Sequence, residues 1–258
     1  MNTNDITTVE LRGSHYYKRE DKFVINGVCG GKARVINEIV TRRMAVGDTN
    51  FVTCGSRDSR QCEALAKICE HHGVYSHLFM PSGKDTDISL SIAAANDARI
   101  HRTKVGYNTV LISESRKYAQ ETGAYYIPFG MGMEETIEIQ SNQVANVPKE
   151  VKRIVVPCGG GMNMIAIIKG LERYGRTDVE VVGVQVGANP DKTFNTWLQD
   201  SLFEKCPIDY VFVKAEGKYG DAAKVTTIDG IELDEMYEAK CIPFLQDGDL
   251  LWIVGKKM

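Results

Sequence analysis

The fold is set by one stretch of the chain, Val155-Val156-Pro157-Cys158-Gly159-Gly160-Gly161-Met162-Asn163. An apolar run typical of a buried strand passes through three glycines into a segment with the apolar spacing of a helix. At such a junction, backbone N–H groups converge with the helix N-terminus, which favours binding of a phosphate. The stretch lacks the Gly-Lys-Ser/Thr of a P-loop and fits the dinucleotide pattern poorly. The alternative interpretation is a tight packing turn.

The same alternation of strands and helices extends outward from this stretch. Candidate strands are short apolar or β-branched runs at residues 50–53, 75–80, 124–128, 153–156, 180–186, 210–214 and 250–254. Candidate helices have apolar residues three and four apart, as in residues 35–40, 62–69 and 164–171. The pattern predicts an α/β fold of open, mostly parallel twisted sheets with helices on both faces. In such sheets, ligands bind beyond the carboxyl ends of the strands.

The composition limits the kinds of partner and cofactor that the protein is expected to bind. The 258 residues are 43% hydrophobic and 25% charged, and the net charge of −3 indicates neither nucleic acid nor an anionic membrane, although a local basic patch is allowed. The seven cysteines are scattered without a CxxC pair, which argues against a disulfide framework or a zinc knuckle. The chain begins without a signal-peptide pattern and has no run of about 18 apolar residues. We therefore expect a soluble cytoplasmic protein without a metal or a membrane partner.

Two further segments carry side chains suited to chemistry. Lys32 follows two glycines at the start of a helical segment, where the backbone can approach a flat ligand. A catalytic lysine needs a desolvated or cationic setting, because the free ammonium has a pKa of about 10.4; the alternative is a solvated lysine at a helix start. The turn at residues 53–61 joins a strand to a helix, and its hydroxyl and guanidinium groups would suit a substrate carboxylate. The alternative is that Ser56 or Asp58 caps the helix.

Read in order, these segments resemble motifs of the fold-type-II, tryptophan synthase β-like, pyridoxal-phosphate enzymes. Within that class they are most similar to the aminocyclopropane-carboxylate deaminase and D-cysteine desulfhydrase group. The matching segments span residues 16 to 254, nearly the whole chain. They are Tyr17-Lys18-Arg19-Glu20-Asp21 with Gly30-Gly31-Lys32, then Ser56-Arg57-Asp58-Ser59-Arg60-Gln61, Tyr126-Ile127-Pro128-Phe129-Gly130, the glycine loop, and Leu233-Asp234-Glu235-Met236-Tyr237-Glu238-Ala239-Lys240.

The resemblance implies pyridoxal 5'-phosphate as cofactor and a role for each matching residue. Lys32 would form the Schiff base and then act as a general base or acid, with Ser56 and Tyr237 as further catalytic residues. Glu238 would approach the pyridine nitrogen; the alternative for Tyr237 and Glu238 is a pair on a helix surface. The cofactor phosphate would bind to Gly159, Gly160, Gly161, Met162 and Asn163. The substrate would bind to Ser56, Arg57, Ser59 and Arg60.

The resemblance also implies the domain organisation. A large cofactor-binding domain would comprise residues 1–48 and 127–258, and a small domain residues 49–126. Enzymes of this fold are often homodimers, so a homodimer is the expected assembly.

Departures from the family pattern leave the reaction open. Arg57 and Asp58 replace the family asparagine turn, the asparagine of GGNK is absent, and the chain is short for the family. A trimmed enzyme would have an open pocket, which would suit a substrate larger than a free amino acid.

Three functions fit the sequence. The first is a pyridoxal-phosphate-dependent lyase that carries out elimination or deamination on an amino-acid substrate. The second is a decarboxylase that tailors an amino acid attached to a larger substrate, such as amino-acid-modified thymidine in phage DNA, because compact enzymes of this fold are implied in such bacteriophage pathways. The third is an inactive binding module of the same fold. DNA binding would be favoured if arginines at positions 42, 43, 57, 60, 99 and 102 shared one face.

Overall fold

The structure is a computed structural model that describes residues 5–104, 107–187, 189–198, 206–218 and 220–256. These residues form two compact units. The first comprises the described residues up to Phe23 and from Glu134 onward, and the second is Val24–Met133.

Strands and helices of the described residues are numbered along the chain. The strands are β1 (Val9–Arg12), β2 (His15–Arg19), β3 (Val24–Ile25), β4 (Val28–Cys29), β5 (Asn50–Cys54), β6 (Tyr75–Pro81), β7 (Ala98–Thr103), β8 (Tyr125–Tyr126), β9 (Arg153–Cys158), β10 (Glu180–Gln185), β11 (Tyr210–Lys214), β12 (Thr227–Ile228), β13 (Ile231–Glu232) and β14 (Leu250–Ile253). The α-helices are α1 (Gly31–Met44), α2 (Arg60–His72), α3 (Asp87–Ala93), α4 (Asn108–Thr122), α5 (Glu134–Ser141), α6 (Met162–Arg173) and α7 (Asp191–Leu198). Short 3₁₀ helices cover Glu20–Lys22, Phe129–Met131, Asn142–Asn146 and Glu238–Phe244.

The first unit is built around a sheet whose strands lie in the order β1-β2-β14-β9-β10-β11. Its pairs are parallel except for the β1–β2 hairpin. Ile154 and Val156 pack in one apolar cluster with residues of α6, whereas Val155 packs in another with Ala239 and Cys241 of the 3₁₀ helix. Successive residues of a strand point to opposite faces, so both faces of β9 are covered. This burial explains why the sequence of β9 is continuously apolar rather than alternating.

The second unit has a parallel sheet in the order β7-β6-β5-β8. Val52 and Cys54 of β5 pack in a cluster with residues of α4. The hydroxyl of Thr53, between them, accepts a hydrogen bond from Gln61 of α2. The two helices therefore lie on opposite faces of this sheet. The predicted α/β fold with mostly parallel sheets is confirmed.

The compact units differ from the predicted domains at two places. Residues 24–48 lie in the second unit, because α1 packs against α2 and the β3–β4 hairpin packs against both helices. Residues 127–133 also lie there, since Gln61 bonds to the backbone of Pro128 and Gly130. The helix that carries Lys32 is therefore part of the smaller unit. None of the described helices has the length and apolar character needed to cross a membrane.

Candidate active site

Lys32 is the second residue of α1, and the local sequence dictates that place. The β3–β4 hairpin turns at Asn26 and Gly27, whose φ angles of 43° and 77° fit a type I′ turn. The returning strand ends at Cys29, and the next residue, Gly30, is the N-cap of α1 with a φ of 94° that favours glycine. The Asn-Gly pair was the sequence signal for this hairpin, which the strand prediction missed.

The surroundings of Lys32 favour its neutral amine. Burial lowers its pKa, the Arg60 charge lowers it further, and the Cys62 thiol opposes them. The position in the first turn of α1 acts in the same direction, because a helix N-terminus carries partial positive charge. A neutral amine is the nucleophilic form that a carbonyl-binding lysine requires. Since Arg60 and Cys62 begin α2, the structure brings Lys32 together with the Ser56–Arg60 turn.

The cap of α2 is Ser59, and the expectation that Ser56 or Asp58 would cap this helix is wrong. The Ser59 hydroxyl accepts a hydrogen bond from the backbone N–H of Cys62 at 3.3 Å. Ser59 lies immediately before the helix, where its oxygen reaches the free N–H groups of the first turn. Ser56 is exposed, and its hydroxyl makes no hydrogen bond to the residues that the structure describes.

The two arginines of the turn are directed elsewhere. Arg60 forms an ion pair with Glu63, one helical turn on, at 2.8 Å. Arg57 donates a hydrogen bond to the backbone oxygen of Lys84 and lies against Gly83, in the loop after β6. Of the four predicted substrate-binding residues, only Ser56 has a side chain without a partner among the described residues of its unit.

Gln61 has a role that the sequence did not reveal. Its amide nitrogen donates to the Thr53 hydroxyl and to the Pro128 carbonyl, both at 2.7 Å. Its amide oxygen accepts from the N–H of Gly130 at 3.0 Å. Gln61 is only 3% exposed, so its burial is matched by hydrogen bonds. This one side chain joins the segment at 56–61 to the segment at 126–130, and its place at the end of the Ser56–Gln61 motif was the available signal.

The turn before α2 should not tolerate a side chain at Gly55. A Cβ atom there would lie 2.3 Å from Ser59 Oγ and 2.9 Å from Cys62 Sγ. We expect Gly55→Ala to lower the free energy of unfolding by about 1–3 kcal/mol, because the cap must shift. Urea denaturation of the cofactor-free protein measures this effect.

Gly132→Ala is the matched control for that substitution. A Cβ atom at Gly132 meets nothing within 4 Å, so stability should stay within about 0.5 kcal/mol of the wild type. Equal stability of the two variants would contradict the steric role of Gly55.

In the first unit, the glycine loop between β9 and α6 keeps its backbone accessible. Gly161 is the N-cap of α6 with a φ of 93°, and no side chain caps this helix. Gly160 has open space where a Cβ would stand, and a Cβ at Gly159 would lie 3.5 Å from the Tyr237 ring. Met162 is buried and Asn163 half-buried in the first turn of α6. Uncapped N–H groups at a glycine-lined helix start fit a phosphate.

Glu238 is buried, so the alternative of a helix surface pair is wrong for this residue; Tyr237 is half-buried. Glu238 Oε1 accepts hydrogen bonds from the N–H groups of Val254 at 2.8 Å and Gly255 at 3.2 Å. Oε2 has no partner within the described structure. Burial and the Asp234 charge raise the pKa of Glu238 to about 8, against the effect of those N–H groups. An orphaned carboxylate oxygen fits the protonated ring nitrogen of the cofactor that the resemblance implies.

Comparison with known proteins agrees with this arrangement. The family model described as pyridoxal-phosphate dependent enzyme matches residues 8–240. The chain is 20% identical over 212 residues to the O-seryl-dTMP PLP-dependent decarboxylase of Salmonella phage ViI, with 72% of this chain and 50% of the decarboxylase covered. The chain thus spans about half the length of this curated relative.

Several solved structures share the fold. A crystal structure of an ACC deaminase homologue superposes with a TM-score of 0.79 at 19% identity, covering 93% of this chain and 84% of that one. An L-serine ammonia-lyase from Rhizomucor miehei gives 0.74 at 17% identity, covering 97% and 93%. Threonine deaminase isoform 2 from Solanum lycopersicum gives 0.70 at 16% identity, covering 100% and 86%. At identities this low, the likeness establishes the fold alone.

Proposed function

We propose, since the chain belongs to the family of pyridoxal-phosphate dependent enzymes, that it removes carbon dioxide from an amino acid attached to a nucleotide. Its cofactor is pyridoxal 5'-phosphate, which when bound supplies a ring that accepts the electron pair of a broken bond at the substrate Cα. The residues described above fit this group, because they offer a lysine with a lowered pKa, an uncapped glycine loop and an orphaned carboxylate oxygen.

One observation carries the choice of decarboxylation. The side chains of Arg57, Ser59 and Arg60 each make a hydrogen bond to another residue of their own unit. In elimination or deamination the substrate carboxylate keeps its charge at the bond-breaking step, so binding it tightly is useful. In decarboxylation the carboxylate loses its charge as it leaves, and strong ground-state binding would slow the step. The turn at residues 56–60, whose two arginines bind other groups of the protein, therefore suits decarboxylation.

The proposed roles follow from the chemistry of each side chain. Lys32 holds the cofactor covalently, and its amine then returns a proton to Cα after carbon dioxide has left. Glu238 would keep the ring nitrogen protonated, and the backbone N–H groups of residues 159–163 would bind the cofactor phosphate. Ser56 contacts the substrate, Tyr237 lies beside the cofactor, and Arg60 lowers the pKa of Lys32.

The substrate class is drawn from the phage relative, whose name assigns it O-seryl-dTMP. A seryl group attached through its oxygen retains a free amine for the cofactor and a free carboxylate to lose. We therefore propose an amino acid carried on thymidylate, or on a related nucleotide, as the substrate of this chain.

The test compares attached and free amino acids. The purified protein with its cofactor is incubated with O-seryl-dTMP and, separately, with free serine, and products are identified by mass spectrometry. We expect loss of carbon dioxide from the attached form and no change in free serine. Release of ammonia and an oxo acid from free serine, with the attached form unchanged, would exclude this function.

That contrary outcome would establish the second candidate, a lyase of the elimination or deamination type. The exposed Ser56 hydroxyl favours it, because a free hydroxyl beside the substrate could bind a carboxylate or assist a leaving group. The third possibility, an inactive binding module, is disfavoured by Lys32, since a scaffold needs no lysine with a lowered pKa at this place.

A further inference from the structure

We propose that the loops after β5 and β6, together with the end of β7, form a phosphate-binding surface for the nucleotide part of the substrate. This surface, the basic loop surface, is defined by Arg57, Lys84, Arg102 and Lys104. The inference rests on the proposed function, because it names where the phosphate of an amino-acid-bearing nucleotide binds.

Hydrogen bonds join the two loops and the end of β7 at one edge of the sheet. β5, β6 and β7 are parallel neighbours, so their carboxyl ends meet at that edge. The N–H of Ser82 donates to the carbonyl of Thr103 at 2.9 Å, which joins the second loop to the end of β7. The hydroxyl of Thr86 donates to the carbonyl of Arg57 at 3.2 Å, which joins the second loop to the first. The backbone segments that carry the four basic residues are thus joined at the loop that follows Pro81.

Two arginines approach this middle loop from neighbouring strands. Arg57 donates to the carbonyl of Lys84. Arg102 lies 3.5 Å from the carbonyl of Pro81 and 3.4 Å from a carboxylate oxygen of Asp85. A guanidinium group has five N–H donors, so each arginine keeps donors for a further ligand. Gly83 makes the approach of Arg57 possible, because a Cβ there would lie 2.5 Å from Arg57 Nη1.

The positive charge of this surface is only partly compensated. Within the part of the chain that the structure describes, no carboxylate forms an ion pair with Arg57, Lys84 or Lys104. Arg102 pairs with Asp85, whose side chain is 57% exposed. Asp58 in the loop after β5 and Asp87 at the start of α3 are exposed. Uncompensated cations beside a substrate-binding turn favour an anionic ligand.

The other arginines of the sequence hypothesis are used differently. Arg42 and Arg43 pair with Glu38 and Asp48, and Arg60 pairs with Glu63. Arg99 stacks on the ring of Tyr75 at 4.7 Å. Of the arginines named from the sequence, Arg57 and Arg102 hold the same loop.

The geometry assigns the ligand as a phosphate rather than a second carboxylate. Guanidinium donors match pairs of phosphate oxygens, and a phosphate carries more charge for the lysines to compensate. Ser56 and Arg57 are adjacent in sequence, but Ser56 keeps a free hydroxyl while Arg57 reaches the next loop. A substrate with an amino acid at one end and a phosphate at the other would therefore engage both.

The test measures nucleotide binding independently of turnover. Calorimetry with the cofactor-loaded protein compares thymidine, dTMP and a short thymidine oligonucleotide, for the wild type and for the double variant Lys84→Glu, Lys104→Glu. Both lysines are exposed, so the fold and the cofactor absorbance should be retained. We expect the Kd for dTMP to rise at least about tenfold, in keeping with the loss of charge-assisted contacts, and the Kd for thymidine to stay the same. Lys117→Glu, at a side chain 73% exposed on α4 of the same unit, is the control for reversing the charge of a surface lysine and should bind like the wild type.

The two nucleotide probes identify the source of the phosphate. A rise in Kd for dTMP supports a nucleotide monophosphate as ligand. A rise only for the oligonucleotide, with a weaker salt dependence in the variant, supports a phosphate of the DNA backbone. Unchanged Kd values for both would overturn the inference.

Turnover separates this inference from the proposed function. Decarboxylation with an unchanged KM in the double variant would overturn the inference while leaving the proposed function intact. Weakened phosphate binding without any decarboxylation would remove the proposed function and leave the surface standing.

Discussion

Lys32→Ala should abolish the absorbance band of the covalently bound cofactor and lower turnover at least about a thousandfold. Lys32 is the amine that the local structure prepares for this bond, because burial, the Arg60 charge and the start of α1 all disfavour its protonated form. Alanine removes both the covalent attachment and the group that returns a proton to the substrate. A primary amine added to the solution should restore part of the lost turnover.

The control for this prediction is Lys67→Ala. Lys67 lies on α2 of the same unit and forms a half-buried ion pair with Glu70 at 3.5 Å, so its loss should change neither the absorbance band nor turnover. The assay is a visible spectrum of each purified protein, followed by rate measurements under saturating cofactor. Retention of the band in Lys32→Ala would show that another amine holds the cofactor.

Two strands were predicted from sequences that reflect burial on both faces, β9 and β10, which are buried along most of their length. β11 lies at the edge of the same sheet and is not buried, but its β-branched and aromatic residues placed it at its observed bounds. β7 was missed, because it lies at the edge of its sheet and carries Arg99, His101 and Arg102 in place of an apolar run. Such a strand is defined by pairing with β6 along its length, and pairing has no local signature in the sequence.

For the site, too, the sequence predicted local features but not the contacts between distant residues. The ordered motifs predicted which segments form the site, because each glycine or lysine lies in a short turn that its own local sequence defines. The directions of side chains depend on distant partners: Arg57 bonds to Lys84, and Gln61 bonds to Pro128. The sequence could not supply these contacts, because each joins residues that only the folded sheet brings together.

The second large effect concerns Glu238 and the stability of the cofactor-free protein. Its pKa rises from an ordinary value of 4.5 to about 8 in the folded state, chiefly through burial. The unfolded chain therefore loses this proton near pH 4.5, whereas the folded protein keeps it until about pH 8. Between these values the folded state binds more protons, so the free energy of unfolding falls as the pH rises. The total decrease is at most about 5 kcal/mol.

Glu238→Gln should remove that decrease. Glutamine resembles the protonated carboxyl group and cannot ionise, and its oxygen can still accept from Val254 and Gly255. Urea denaturation should therefore give stabilities within about 1 kcal/mol of the wild type at pH 5, and a variant more stable by several kcal/mol above pH 8. Glu232→Gln, at a side chain 69% exposed in the same unit, should follow the wild-type curve.

With the cofactor bound, the wild type should be the more active of the two proteins, although without cofactor it is the less stable one. The ionised Glu238 then meets a protonated ring nitrogen, so the charge that destabilises the cofactor-free fold is compensated. Glutamine cannot hold that proton on the ring, and turnover should fall by about a hundredfold or more. A variant that is more stable without cofactor and slower with it would mean that the buried carboxylate is kept for the cofactor at a cost in stability. Parallel stability curves for wild type and variant across this pH range would instead show that Glu238 is already ionised by a partner within the protein.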